Sequence, residues 1–141
     1  PAESRDFYMP RADVPNQGLG GFAHNNTPPT EKVAVRIETV DRVIGDAPVS
    51  LIKLDVQGFE HEVLGGATNV LARDLPYVLF ESIPGEESGR EVAAMLTKLG
   101  YTLWRVDDLP EPPYFSLAPA GKLEASSNYL GTPPPRARRR S

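Results

Sequence analysis

Between Val49 and Val106 short apolar runs alternate with stretches of helical period, and this alternation limits the fold more than any other property of the chain. Val49–Val56 is apolar and bounded by Pro48 and Gly58, as a strand buried on both faces should be. From Phe59 the apolar residues Phe59, Val63, Leu64, Ala67, Val70 and Leu71 line one face of a helix that runs to Asp74. "YVLFES", Tyr77–Ser82, reads as another buried strand. "SGRE", Ser88–Glu91, fits a capping box ahead of Val92, Met95, Leu96 and Leu99, and Gly100 stops that helix. "YTLWRV", Tyr101–Val106, resumes as a strand. Strand, helix, strand, helix, strand predicts an α/β fold: a right-handed crossover sheet with helices on its faces and Val49–Val56 as its central strand.

The flanks are less regular. Residues 1–31 hold Pro10, Pro15, Pro28 and Pro29 with Gly18, Gly20 and Gly21, which predicts an irregular loop segment. Lys32–Val40 alternates Val33, Val35 and Ile37 against Ala34, Arg36 and Glu38, the period of a strand near an edge. "YFSLA" and "SSNYL" are shorter strand candidates, so the domain proper is read as residues 32–131. From Thr132 the tail "TPPPRARRRS" has no apolar anchor and is expected to be disordered. Gly65 and Gly66 within the first helix cost roughly 1 kcal/mol each relative to Ala, and close packing on the sheet is the expected reason.

Composition removes several function classes. The net charge is −4, yet the last ten residues carry four arginines and no acid, so the folded part is acidic and offers no basic face for nucleic acid. Without cysteine there are no disulfides, thiolate metal sites or thiol nucleophile. No run approaches the ~18–20 apolar residues of a membrane span, and the amino terminus lacks a signal-peptide pattern, so a soluble, cytoplasmic protein is expected. "HEVLG", His61–Gly65, falls short of the H-E-x-x-H zinc motif, and two histidines cannot complete one. Metal dependence stays open, because Asp55, Glu60 and Glu81 together could hold a hard cation.

"LIKLDVQGFEHEVLGGA", Leu51–Ala67, places Lys53 and Asp55 inside a strand where valine or isoleucine would be less costly. In open crossover sheets, ligands sit beyond the carboxyl ends of the parallel strands, which is where Asp55, Gly58 and Glu60 fall. Gly58 permits a sharp turn and a close ligand approach. Lys53 points to the same face as Asp55 but deeper, and Glu81, closing the next strand, is its expected partner. The plainer alternative is that Asp55 caps the following helix and Lys53 extends to solvent.

"IKLDVQGFEHEVLGGA", then "LPYVLFE", "LGYTLWRV" and "NYLGTP", resembles the carboxyl-terminal half of the FkbM family of S-adenosylmethionine-dependent methyltransferases, in order and spacing from Val33 to Pro133. The resemblance implies a partial doubly wound, Rossmann-like class I methyltransferase sheet, with Asp55 beside the methyl donor and the acceptor. It implies catalytic roles for Asp55, Glu60 and Glu81, cofactor contacts from Asp55 and Gly58, and substrate contacts from Lys53. A comparable family region suggests that Asn16 and Gly18 border the acceptor pocket, although an exposed turn explains them as well. The implied reaction is O-methylation of a small-molecule, sugar or lipid hydroxyl.

The glycine-rich cofactor turn of such enzymes is missing, since "NQGLGGF" has no strand entering it and no helix leaving it. The chain is therefore expected to be a piece or truncated form lacking an amino-terminal half, binding the cofactor poorly alone, with its oligomeric state open. Two further readings stand beside the enzyme: a non-catalytic remnant serving as an interaction module, and an unrelated crossover-sheet binding protein.

Overall fold

The computed structural model describes residues 3–10, 30–56, 58–82, 87–121, 123 and 127–135, in two units that divide between Thr39 and Val40. In the first unit Glu3–Pro10 (β1) and Thr30–Ile37 (β2) form an antiparallel ribbon, with Arg5 opposite Val35 and Phe7 opposite Val33. Lys32 Nζ reaches Asp6 at 2.7 Å across it. The ribbon corrects the reading of residues 1–31 as irregular at 3–10 and 30–31, while residues 1–2 and 11–29 lie outside the described residues. Between Pro1 and Pro10 neither proline nor glycine interrupts the chain, and the turn formers that dominate the window come later.

β2 stops at Ile37 rather than Val40, because Val40–Ile44 is a helix (α1) committed to the second unit. The helix expected over Phe59–Asp74 is two, Glu60–Gly65 (α2) and Thr68–Asp74 (α3). Asp41 of α1 supplies the cap that starts α3 afresh. Its carboxylate accepts from the Asn69 amide at 3.0 Å, the Val70 amide at 2.9 Å and the Thr68 hydroxyl at 3.3 Å, while its own amide donates to the Gly66 carbonyl at 2.8 Å. A helix start leaves such amides without partners, and a carboxylate there is favoured by the helix dipole as well.

Burial opposes ionisation of Asp41, yet the Asn69 and Val70 amides, the Thr68 hydroxyl and Arg73 outweigh it and hold the carboxyl below its ordinary value. A depressed carboxyl contributes stability that is fully present above its unfolded-state value and is lost as pH falls through the folded-state value. Asp41→Asn is accordingly expected to lower the melting temperature at neutral pH. Thermal melts taken from neutral to strongly acid pH should show the gap to the parent closing below the carboxylate range.

The second unit holds a five-stranded sheet in the order β3-β4-β7-β5-β6, formed by Leu51–Leu54 (β3), Tyr77–Ser82 (β4), Thr102–Asp108 (β5), Phe115–Pro119 (β6) and Ser127–Thr132 (β7). β3 and β4 are parallel, and β7 runs antiparallel to both β4 and β5, so β5 points the same way as β4 with β7 inserted between them. β6 is antiparallel to β5. The sheet is mixed, and β3, expected at the centre, lies at one edge with Leu51 57% exposed. Its apolar run suggested burial on both faces, but only Leu54 is buried.

One face carries the core. Along β4, Val78, Phe80 and Ser82 are buried while Tyr77, Leu79 and Glu81 are not. Leu54, Val78, Phe80 and Tyr129 meet Leu64 of α2, Leu71 of α3, and Val92 and Leu96 of Ser88–Lys98 (α4). Phe80 and Tyr129 stack at 5.6 Å. Tyr101 is buried, its hydroxyl donating to the Pro76 carbonyl at 2.9 Å, whereas Trp104 is half-buried and its indole N–H donates to Thr132 Oγ1 at 3.1 Å. Thr132 thus closes β7 rather than opening an unanchored tail; residues 136–141 lie outside the described residues.

Two glycines separate close packing from open space. A Cβ on Gly89, in the first turn of α4, would sit 2.7 Å from Ser82 Oγ, 2.8 Å from its Cβ and 3.0 Å from its Cα. The hydroxyl can rotate away, but the β4 backbone cannot. Gly89→Ala is expected to destabilise the domain by about 1–3 kcal/mol in chemical denaturation, through overpacking. At Gly65 a Cβ would meet nothing within 4 Å, so packing on the sheet is not what demands glycine there.

Candidate functional site

The parallel pair β3 and β4 ends at Leu54 and Ser82, and Asp55 is the first residue past the carboxyl end of β3. Lys53 lies opposite Leu79 in register, Glu81 opposite Asn128 of β7, and Asn128 opposite Val106 of β5. Alternation turns these side chains to the face away from the core. There they line a cavity of about 380 Å³ together with Leu54 and Asp55. A carboxylate pair, an ammonium and an amide are set against a floor of leucine and valine.

Lys53 Nζ meets Asp55 Oδ2 at 2.9 Å, with the two side chains 63% and 54% exposed. This corrects the expected Lys53–Glu81 pair. Leu79, not Glu81, stands opposite Lys53, and the Asp55 carboxylate is the nearer acceptor. An exposed pair of this kind contributes about 0.2–1 kcal/mol, so its consequence is orientation of the carboxylate rather than stability.

Asp55, Lys53 and Glu81 are thus brought together, and Glu60 is not among the cavity-lining residues. Glu60 is 3% exposed at the start of α2. Its Oε1 accepts from the Val56 amide at 3.2 Å, and its Oε2 from the Gly58 amide at 3.0 Å and the Ser88 hydroxyl at 2.8 Å. Ser88 Oγ accepts in turn from the His61 amide at 3.2 Å. The capping box expected to start at Ser88 is not formed: the cap position is Glu87, whose side chain makes no capping hydrogen bond. Gly58 has φ +98°, a conformation that favours glycine, and this lets the chain double back from the strand so that both amides face one carboxylate. Asn16 and Gly18 lie outside the described residues.

Asn128 and Val106 were not anticipated. The parity of β7 would have shown Asn128, since Tyr129 is buried and its neighbours must face the other way. A second concavity of about 590 Å³, lined by Asp41, Gly45, Asp46, Asn69, Ala72 and Arg73, has its principal charges committed to structure. Asp41 caps α3, and Arg73 donates to the Gly45 and Ala47 carbonyls and to Asp74. Among the described residues, no three His, Asp or Glu side chains converge as a metal site, and no helix is long and apolar enough to cross a membrane.

The family model described as the Methyltransferase FkbM domain matches residues 1–103. No match was found among curated proteins or among solved structures. The matched stretch contains β3, the Gly58 turn, α2 and β4, and hence Lys53, Asp55 and Glu81. With 103 of its 141 residues under that model, the chain belongs to the FkbM methyltransferase domain family.

Proposed function

We propose that the chain carries the acceptor-activating part of an S-adenosylmethionine-dependent O-methyltransferase of Rossmann-like class I fold. The observation that supports this most is the cavity at the carboxyl ends of β3 and β4, which holds Asp55, Glu81, Lys53 and Asn128 in a chain of a methyltransferase family. The parallel β3–β4 pair, joined through helices, fits a partial doubly wound sheet, whose ligands sit at that end.

The donor set fits the cationic end of the cofactor. Asp55 and Glu81 offer carboxylates to a sulfonium, and the half-buried Gly58 presents backbone without a side chain. S-adenosylmethionine, when bound, supplies an electrophilic methyl group and departs as a neutral thioether. Asp55 accepts the proton of the acceptor hydroxyl as its oxygen forms the new carbon–oxygen bond, a task worth about 10²–10⁴-fold for a well-placed general base. Lys53 holds the Asp55 carboxylate toward the cavity, and Glu81 and Asn128 orient the acceptor's polar groups, with Leu79 and Val106 against its apolar parts.

The test is incubation of the protein with methyl-labelled S-adenosylmethionine and a panel of hydroxyl, amine and carboxyl acceptors, with calorimetric titration of the same cofactor alongside. Label in an alkali-stable ether supports the reading. Cofactor binding by this chain alone counts against a non-catalytic module, absence of both binding and transfer from a protein that also carries a glycine-rich cofactor turn would identify one, and label confined to amines would reassign the reaction.

A further inference from the structure

We infer that Ser88, acting through Glu60, is a positioning residue that fixes the Asp55 turn relative to Glu81. The inference rests on the reading of Asp55 and Glu81 as the working carboxylates, but its structural half stands apart from that reading. The described residues between β3 and α2 belong to no helix or strand, and the amides of Val56 and Gly58 are gathered by the single carboxylate of Glu60. α2 spans only 6 residues, too few to hold a fixed orientation by its own hydrogen bonds. Something outside it has to locate Glu60.

Ser88 fills that role from α4, an 11-residue helix with Val92, Ala93 and Leu96 in the core. Its hydroxyl donates to Glu60 Oε2 and accepts from the His61 amide, so one oxygen meets both the carboxylate and the backbone of α2. The next residue, Gly89, is the one packed against Ser82 of β4 so closely that no Cβ fits. Ser82 adjoins Glu81, whose side chain lies on the cavity face. A continuous line of contacts, buried at Ser82, Gly89, Ser88 and Glu60 and part-buried at its far end, therefore runs from the Glu81 end of β4 to the amides beside Asp55. Glu60 and Ser88 are 3% and 6% exposed, and neither lines the cavity, so they act through Asp55 rather than on a substrate. The exposed Lys53–Asp55 pair alone is a weak restraint.

The experiment compares the parent, Ser88→Ala and Ser88→Thr by residue-resolved amide hydrogen exchange, and by methyl transfer from labelled S-adenosylmethionine to an acceptor found with the panel above. In Ser88→Ala the Val56 and Gly58 amides are expected to exchange at least tenfold faster, while the Val78 and Phe80 amides of β4 keep parent protection. kcat should fall about tenfold or more at unchanged KM for the cofactor, since small misplacements of reacting groups are costly. Ser88→Thr, which keeps the hydroxyl, should restore both. Parent exchange at Val56 and Gly58 in Ser88→Ala overturns the inference, as does a uniform rise across β4, which is the signature of global destabilisation alone. If Ser88→Ala does not fold, Glu60→Gln, which replaces one accepting oxygen with a donor, is read at the same amides against the same criteria. A parent protein without methyl transfer, but with the expected exchange pattern, refutes the proposed reaction and upholds the structural link.

Discussion

Asp55→Asn is expected to reduce methyl transfer by about 10²–10⁴-fold, the range lost when a general base is removed. The fold should hardly notice. The Asp55 side chain is 54% exposed, and its pairing with Lys53 contributes at most about 1 kcal/mol, so denaturation midpoints should stay close to the parent's. Asparagine keeps the shape and one accepting oxygen but cannot take up a proton, which separates base catalysis from simple contact with the acceptor. Lys53→Ala, which frees the carboxylate to rotate, should show a smaller loss. An Asp55→Asn protein of undiminished turnover would remove Asp55 from the chemistry and return it to the role of a strand-end residue.

Phe80→Ala carries the largest expected stability effect, about 3–5 kcal/mol for truncating a fully buried phenylalanine. Domains of this kind have about 5–15 kcal/mol in total. The ring is 0% exposed, and its residue stands opposite Leu54 on one side and Tyr129 on the other, so it joins the parallel pair to the antiparallel remainder of the sheet. The stack with Tyr129 adds about 0.5–1.5 kcal/mol beyond buried area. Urea denaturation should show a lower midpoint at unchanged slope if the native sheet persists. The cavity should suffer as well, because Leu79 and Glu81 on the opposite face depend on the same backbone. A midpoint within experimental error of the parent would mean that this ring is not central to the packing.

Much of the α/β pattern was legible because hydrophobic period reports burial directly. Tyr77–Ser82 matches β4 residue for residue, and Gly100, at φ +84°, ends α4 as its position suggested. What escaped were choices made by distant residues. Nothing near Ala67 announces that Asp41, far back in the sequence, will cap a second helix and break the first. Ser88 fitted a local capping rule, yet Glu60 captured its hydroxyl. β3 looked central because apolar composition records the hydrophobicity of a strand, not the neighbours it receives. Lys53, Asp55 and Glu81 could be found from sequence because charge in an apolar strand needs an explanation. Val106 could not, since it resembles any core valine until the face it occupies is known.

The insertion of β7 between β4 and β5 has a consequence for how the molecule comes into being. Of the five described strands of this sheet, the last in sequence occupies the middle and pairs on both sides, at Phe80 with Tyr129 and at Arg105 with Tyr129. During synthesis the earlier strands must wait, as one parallel pair and one separate hairpin, until residues 127–132 have left the ribosome. Assembly is then a late, long-range closure, which slows folding relative to chains built from local contacts. A polypeptide ending with the family match at residue 103 would keep the β3–β4 pair but lack β6, β7 and nearly all of β5.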